Sequence, residues 1–364
     1  MLLGPILPIL TYRWHLDDSQ SGLLLLAQFC GATLGGITVS SRLRTGLLTG
    51  LISAAIGFMG FALAPGLSLA CVALFIGGFG VGRTIAAINI IVGERYTVQR
   101  AAALSRLNFS WSFGALLSPL LAAWLIPRHA LAHILATFAA LFVVVTAAFT
   151  LQLARHPASP SLTPASKLTA ELSGRHFVYF AALLFVYGGL ETCLSGWLTT
   201  DAMRSSGSSL VRSEYIMVLL LIGLTIGRAL AAWLLLRIRD VTLLRLSLLI
   251  AATLIAALAS AHQWIVIAVL ATLLGITLAP IFPTTFALTM AHRPSVRQAG
   301  TILAASGLGA AALPWFMGIL STRTGSLHIA LTIPIAAALL MLFLSLHLPA
   351  TPSVPTFPEP SASV

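Results

Sequence analysis

Charged side chains are scarce in this sequence. Only 8% of its 364 residues are charged and 58% are hydrophobic, whereas about a quarter of an average soluble domain is charged. Apolar runs of about 20 residues recur from one end to the other, and a globular core does not require runs of that length. The composition predicts an integral membrane protein that crosses the bilayer many times.

Groups that carry covalent chemistry are also scarce. Cys30, Cys71 and Cys193 are the three cysteines, and they lie far apart inside apolar runs, which does not suit a disulfide framework. No nucleotide motif, paired carboxylates or nucleophile–base set gathers at one depth. His129 and His133 have the i, i+4 spacing of metal ligands but no third ligand beside them. We predict a protein that is not an enzyme and holds neither cofactor nor metal.

Membrane topology explains the excess of basic over acidic residues. Nineteen of the 20 basic residues are arginine, against 9 acidic residues, and they sit in short gaps between apolar runs without interleaved aromatics. That pattern does not suit nucleic-acid binding. Because basic loops stay on the cytoplasmic side, we predict a multi-pass protein of the inner (cytoplasmic) membrane with its central linker and C-terminus in the cytoplasm.

The apolar runs form two sets of six, which predicts an all-α protein with two six-helix halves. The first half spans residues 1–153, and its opening helix, near 1–12, is too short to cross a bilayer, so Met1 is a candidate late start. A Pro/Ser-rich linker covers 154–175. The second half spans 176–349, and a tail predicted to be disordered covers 350–364.

An internal repeat supports this division. Gly114, Pro119, Arg128 and His133 recur 195 positions later as Gly309, Pro314, Arg323 and His328. A single offset fits all four pairs, as expected for duplicated halves related by an axis along the membrane normal.

Seven segments spread over nearly the whole chain carry a family resemblance: residues 4–8, 22–44, 106–119, 189–198, 227–237, 280–286 and 309–318. In their shared order these segments resemble the major facilitator superfamily, and within it the fucose permease-like sugar transporters. The resemblance implies two halves around a central cavity and transport by alternating access. In the resembled permeases an acidic residue implicated in proton coupling can stand at the position of Arg83, and another at that of Gly4. This sequence has neither.

Glu191 is the sharpest candidate for a functional residue, because we place it as the only carboxylate near the middle of a predicted span. Tyr187 and Ser195 lie one turn to either side on the same helix face. This face is predicted to bind a substrate hydroxyl, and Glu191 to carry any coupling proton. The alternative is a structural glutamate that an arginine or helix–helix hydrogen bonds satisfy.

Arg83 is predicted to be the most deeply placed basic residue, while Arg106 and Arg228 are expected to extend toward the cytoplasmic membrane surface. Two hypotheses stay open for Arg83. It forms an ion pair with Glu191 across the two halves, or it binds an anionic substrate.

Amide and aromatic side chains complete the predicted binding site, because amides can satisfy sugar hydroxyls and aromatic rings can stack on the apolar face of a pyranose. The candidates are Gln28, Asn108, Trp111, Trp197, Phe282 and Thr284. Trp197 is included because the resembled motif ends on an aromatic residue. The alternative for each residue is helix packing.

Gating positions are predicted from prolines and basic loops. Pro280 and Pro283 remove backbone donors inside an apolar run, so that helix should bend or open locally, and Pro314 should bend a later one. Arg42, Arg44, Arg237 and Arg239 resemble the superfamily's cytoplasmic gating motif. The alternative role of the prolines is helix packing, and that of the arginines is to determine membrane topology.

The sequence therefore predicts a monomeric secondary or facilitative transporter, with the lipid bilayer as its surroundings and a sugar or similar polyhydroxylated solute, with or without a proton, as its substrate. The alternatives are a drug or metabolite exporter of the same fold and a membrane sugar sensor that does not transport.

Overall fold

The computed structural model describes residues 10, 13–15, 18–125, 131–155, 172–208 and 210–348. Across these ranges the chain is helical and contains no strand. The predicted opening helix near 1–12, the core of the linker and the C-terminal tail lie outside the described residues, apart from single positions at their edges.

Thirteen helices follow one another along the described chain. They are α1 (Asp18–Ile37), α2 (Leu43–Ala62), α3 (Leu67–Arg95), α4 (Arg100–Leu125), α5 (Leu131–Arg155), α6 (Gly174–Ser206), α7 (Leu210–Leu234), α8 (Asp240–Leu258), α9 (Trp264–Leu278), α10 (Ile281–Ala291), α11 (Val296–Thr324), α12 (Leu327–Ala330) and α13 (Thr332–Leu346). Each of the last eleven predicted apolar runs corresponds to one helix or to one broken helix. The all-α membrane fold is thus confirmed, and the helix order is consistent with two six-helix halves.

Nine helical segments of the described residues are long and apolar enough to span a membrane. Two of these segments are interrupted helices. One joins α9 to α10 across Pro280, where we predicted a local break, and the other joins α12 to α13 just before Pro334. Proline lacks the backbone N–H that the helix needs, which explains both interruptions. Pro314, in contrast, lies inside the continuous helix α11.

Helix α6 is longer than predicted. The apolar run ends near residue 200, but the helix continues through the polar residues that follow to Ser206 and ends at Gly207, whose φ of 62° is left-handed. Glycine adopts this conformation without strain, which suits it to end a helix. The two extra turns contain Asp201, which we had not placed in a span.

Glycines bring the helices of the first half into backbone contact. In α3, a Cβ built on Gly78 would lie 2.1 Å from the carbonyl oxygen of Gln28, and one on Gly82 would lie 1.9 Å from that of Ala32, both in α1. Small residues at such positions let helix backbones approach closely. Such packing matters within a membrane because the hydrophobic effect does not drive helices together there.

The two halves meet at one end of the bundle. Helix α1 packs against α11, and α4 packs against α7. A Cβ on Gly300 would lie 2.6 Å from the carbonyl oxygen of Gly36, and one on Gly93 would lie 3.0 Å from the side chain of Met290. Because α1 ends here and α6 begins here after the linker, we call this the linker end.

We call the opposite end of the bundle the open end, because the contacts between the halves described above lie at the linker end. Trp111 lies one turn beyond Asn108 on α4, and Trp315 lies on α11 beyond Gly300 and Gly307, which meet α1. These tryptophans are 45% and 63% exposed, respectively. Their exposure is consistent with a cleft between the halves that is closed at the linker end.

The contact at Gly82 provides a test of the packing. We expect Gly82→Ala to lower the free energy of unfolding by about 1–3 kcal/mol because the added methyl group forces α1 and α3 apart. Thermal unfolding of the purified protein in detergent would measure this. Gly114→Ala is the matched control, since nothing lies within 4 Å of its Cβ position. Equal melting temperatures for the two variants would contradict the packing.

Candidate functional site

An ion pair lies where α6 meets α7. The guanidinium Nη2 of Arg228 is 3.5 Å from Oε1 of Glu191. The Arg228 side chain is 4% exposed and that of Glu191 is 29% exposed. The arginine is therefore enclosed by protein, while the carboxylate keeps an accessible surface.

Arg228 also joins the two halves of the molecule. Its Nη1 donates to the carbonyl oxygen of Asn108 over 3.1 Å, and its own carbonyl oxygen accepts from the Ser105 hydroxyl over 2.8 Å. Both partners belong to α4 of the first half. An enclosed arginine needs several acceptors to replace its lost hydration, and here they come from α4 and α6 together.

Aromatic residues border the ion pair. Tyr187 lies one turn before Glu191 on α6; it is buried, and both Glu191 and Arg228 lie close enough to act on its hydroxyl. Its ring centroid lies 5.6 Å from that of Phe282 on α10. Phe282 in turn stacks on Phe286 at 6.1 Å. These rings thus form a row between α6 and α10, and Tyr187 places one end of the row beside the ion pair.

The structure brings several predicted residues close to this pair. Tyr187 borders it and packs on Phe282, Asn108 bonds to it through its backbone, and Trp111 lies one turn further along α4. The Asn108 amide group donates to the Leu104 carbonyl oxygen of its own helix. Asn108 therefore contributes its backbone oxygen to the pair, whereas we had predicted that its side chain contacts the solute.

Other predicted residues make packing contacts. Trp197 donates its indole N–H to the carbonyl oxygen of Pro314 over 3.0 Å, linking α6 to α11. Thr284 is fully buried, and its hydroxyl donates to the Pro280 carbonyl oxygen, so it does not face the cleft. Gln28 and Ser195 are half-buried, and the backbone of Gln28 packs against Gly78.

The Arg83–Glu191 ion pair is not formed in this structure. Arg83 instead stays within the first half, where its Nη1 donates to the hydroxyl and the carbonyl oxygen of Thr38, each at 3.2 Å. The Arg83 guanidinium carbon also lies 6.0 Å from the Phe79 ring centroid. These contacts tie α3 to the end of α1, and Arg228 takes the place that we had predicted for Arg83.

The prediction that Arg228 extends toward the membrane surface was wrong, since its side chain is enclosed and paired. Its position near the end of an apolar run suggested an accessible surface. In the structure its neighbour Gly227 packs against Ile276 of α9 and Ala279, which follows that helix. That close packing leaves the following side chain to point toward the partner half.

The predicted gating arginines lie at the linker end. Arg42 and Arg239 are exposed and directly precede α2 and α8, and Arg44 is half-buried. The Arg237 guanidinium lies 5.0 Å from the Trp233 ring centroid. Within the described ranges none of the four forms an ion pair with a carboxylate, so their gating role stays a prediction.

The unequal exposure of the pair makes a testable prediction. We expect Glu191→Gln to lower the free energy of unfolding by about 3 kcal/mol, because it leaves a buried guanidinium without a counter-charge. Arg228→Gln should cost less, since the freed carboxylate can be hydrated. Chemical unfolding in detergent would measure both variants.

The double variant is the control for direct coupling. If the two groups interact, Glu191→Gln combined with Arg228→Gln should show a coupling energy of about 1–3 kcal/mol. Glu191→Gln combined with Arg83→Gln should be additive. Coupling to Arg83 but not to Arg228 would contradict the observed pairing.

Comparisons with known proteins agree on the fold. The family model of the Major Facilitator Superfamily matches residues 1–297. No curated protein sequence matches the chain significantly.

Several solved structures are similar over nearly the whole chain. The E. coli fucose:proton symporter FucP has a TM-score of 0.78 at 19% identity, with 96% of each chain covered. The proton:xylose symporter XylE has a TM-score of 0.74 at 14% identity, with 95% of this chain and 91% of that chain covered. The human organic anion transporter MFSD10 has a TM-score of 0.70 at 19% identity, with 94% and 89% covered. At these identities the similarity shows the fold alone.

Proposed function

Because the chain belongs to the Major Facilitator Superfamily, we propose that it moves a sugar or a similar neutral polyhydroxylated solute across the membrane by alternating access. The Glu191–Arg228 pair carries the proposal, since it places a partly accessible carboxylate where the two halves meet.

The chemistry of the site suits hydroxyl groups. A carboxylate accepts hydrogen bonds through two oxygens, and the Arg228 contact involves only Oε1 of Glu191. The exposed ring of Trp111 offers an apolar surface on the opposing half, and an indole can stack on the apolar face of a sugar ring. This combination supports recognition of a solute with hydroxyls on its edge and C–H groups on its face.

The charge balance of the site favours a neutral solute. Glu191 and Arg228 together carry no net charge. The other candidate anion ligand, Arg83, is directed toward Thr38. A polyhydroxylated solute can bind to this site without adding an unpaired charge to a poorly hydrated environment.

An exporter of amphipathic compounds is the second candidate. The large aromatic side chains Trp111, Trp315 and Phe316 are all exposed on the described helices. Such surfaces suit apolar ligands as well as sugar rings. Solute competition, described below, distinguishes the two candidates.

The contacts between the halves support the proposal of alternating access. The contacts that join α1 to α11 and α4 to α7 lie at the linker end, where the halves would separate as the open end closes. We further propose that the linker end is cytoplasmic, that residues 1–153 and 176–349 move as the two halves, and that the unit is a monomer in the inner membrane.

Uptake and counterflow in proteoliposomes test the proposed function. We expect saturable counterflow of at least one neutral sugar from a panel of neutral and acidic sugars. Glu191→Gln should reduce it by about tenfold or more, which equals the loss of one charged hydrogen bond in the bound state. Arg83→Gln should retain transport, because Arg83 bonds within its own half.

Three outcomes would decide against the proposal. Binding without counterflow would indicate a sensor. Transport of amphipathic cations or drugs with no sugar competition would favour the exporter. Unchanged sugar transport in Glu191→Gln would exclude the ion pair as the binding site. Repeating the assay with and without a pH gradient would show whether a proton is cotransported.

A further inference from the structure

A second polar cluster lies near the open end of the second half, about 15 Å along α6 from Glu191. It contains Asp201 and Ser205 of α6, and His328 of α12. The Asp201 side chain is 1% exposed and that of His328 is 31% exposed. Burial of a carboxylate at this level requires partners, and the proposed binding site does not use this one.

The contacts of the Ser205 hydroxyl determine which groups of the cluster donate and which accept. The Ser205 hydroxyl is 3.4 Å from Oδ1 of Asp201 and 3.1 Å from Nε2 of His328. A hydroxyl has one proton, and an ionised carboxylate can only accept. Both contacts are therefore satisfied when His328 donates Nε2–H to Ser205 and Ser205 donates to Asp201.

In this arrangement two buried acceptor atoms receive no hydrogen bond. Nδ1 of His328 and Oδ2 of Asp201 make no hydrogen bond within the described residues. Nδ1 lies 4.0 Å from Oδ1 of Asp201. A proton added at Nδ1 would convert a neutral ring beside a buried carboxylate into an ion pair, and a shift of about 1 Å would bring the two atoms within hydrogen-bond distance.

We propose that Asp201, Ser205 and His328 form a proton-binding site that is separate from the Glu191–Arg228 pair. A proton enters from solvent at the open end and binds to Nδ1 of His328, and no other bond forms or breaks. The protonated site holds α12 against α6. The proton site does not depend on which solute is transported.

The charged and titratable groups around the site permit this exchange. Among the described residues, His262 of the α8–α9 connection packs its ring edge-on against His328 at 5.5 Å, and Arg204 of α6 lies close enough to Asp201 to act on its charge. Both side chains are exposed. Solvent therefore reaches a ring that contacts His328, and Arg204 adds no buried counter-charge.

The internal repeat supplies a natural control. His133 occupies the repeat-related position in α5 that corresponds to His328 in α12, and its side chain is exposed. No ion pair to His133 is found among the described residues. Substitution of His133 therefore removes a histidine without removing the proposed proton site.

Thermal unfolding in detergent, without solute, tests the proposal directly. Protonated His328 gains Asp201 as a partner, so the stabilisation is present at low pH and is lost as the pH rises. We expect the melting temperature of the wild type to fall by about 2–4 °C between about pH 5.5 and about pH 8, relative to His328→Gln. Asp201→Asn should remove the same difference, and His133→Gln should keep it.

Ser205→Ala covers the case in which the other variants fail to fold. This variant keeps Asp201 and His328 but removes the hydroxyl that bridges them. We therefore expect its melting temperature to depend less on pH than that of the wild type. Equal pH profiles for the wild type and His328→Gln, or for the wild type and Ser205→Ala, would overturn the proposal. Failure of sugar transport would leave these melting curves unaffected, so the two proposals can fail separately.

Discussion

The Arg228 guanidinium is the constraint on which the centre of this structure depends. A permanently charged group that protein encloses must find both a counter-charge and hydrogen-bond acceptors. Glu191 supplies the charge from α6, and the Asn108 carbonyl oxygen supplies an acceptor from α4. One side chain therefore fixes the relative positions of three helices, two of them in different halves.

The unequal enclosure of Arg228 and Glu191 would suit the pair to the proposed binding role. The cation is enclosed and held by backbone oxygen, while the anion keeps about a third of its surface accessible. A solute can therefore compete for the carboxylate without first releasing the arginine from its other acceptor. Most of the desolvation penalty concerns Arg228, and it is already offset in the empty protein because Arg228 is paired there. Binding of a solute therefore adds little further desolvation.

Much of the fold could be predicted from the sequence because the bilayer leaves few choices for a long apolar run. Glu191 was likewise found because a carboxylate in such a run is costly. Its partner was not found, since depth in the membrane was estimated from the ends of the runs. Arg228 seemed close to a surface, and only the packing of α4 against α7 shows that it is enclosed.

Asp201 was missed for a related reason. The apolar run ends before it, so the polar residues that follow suggested a loop, although α6 continues through them. Their partner, His328, is more than a hundred residues away in sequence. The spacing of apolar residues predicts only local structure. The hydrogen-bond partners of a buried polar group, in contrast, can come from distant parts of the sequence that meet only in the folded chain.

Under the proposed alternating access, the seam between α1 and α11 has a consequence for the populations of the conformational states. Gly36 and Gly300 meet through their backbones, so the halves can part there without interlocked side chains having to change rotamer. The two arrangements can then lie close in free energy, and about 1.4 kcal/mol is enough to change their ratio tenfold. A single methyl group on this seam is of the right size to decide which state of the resting transporter predominates.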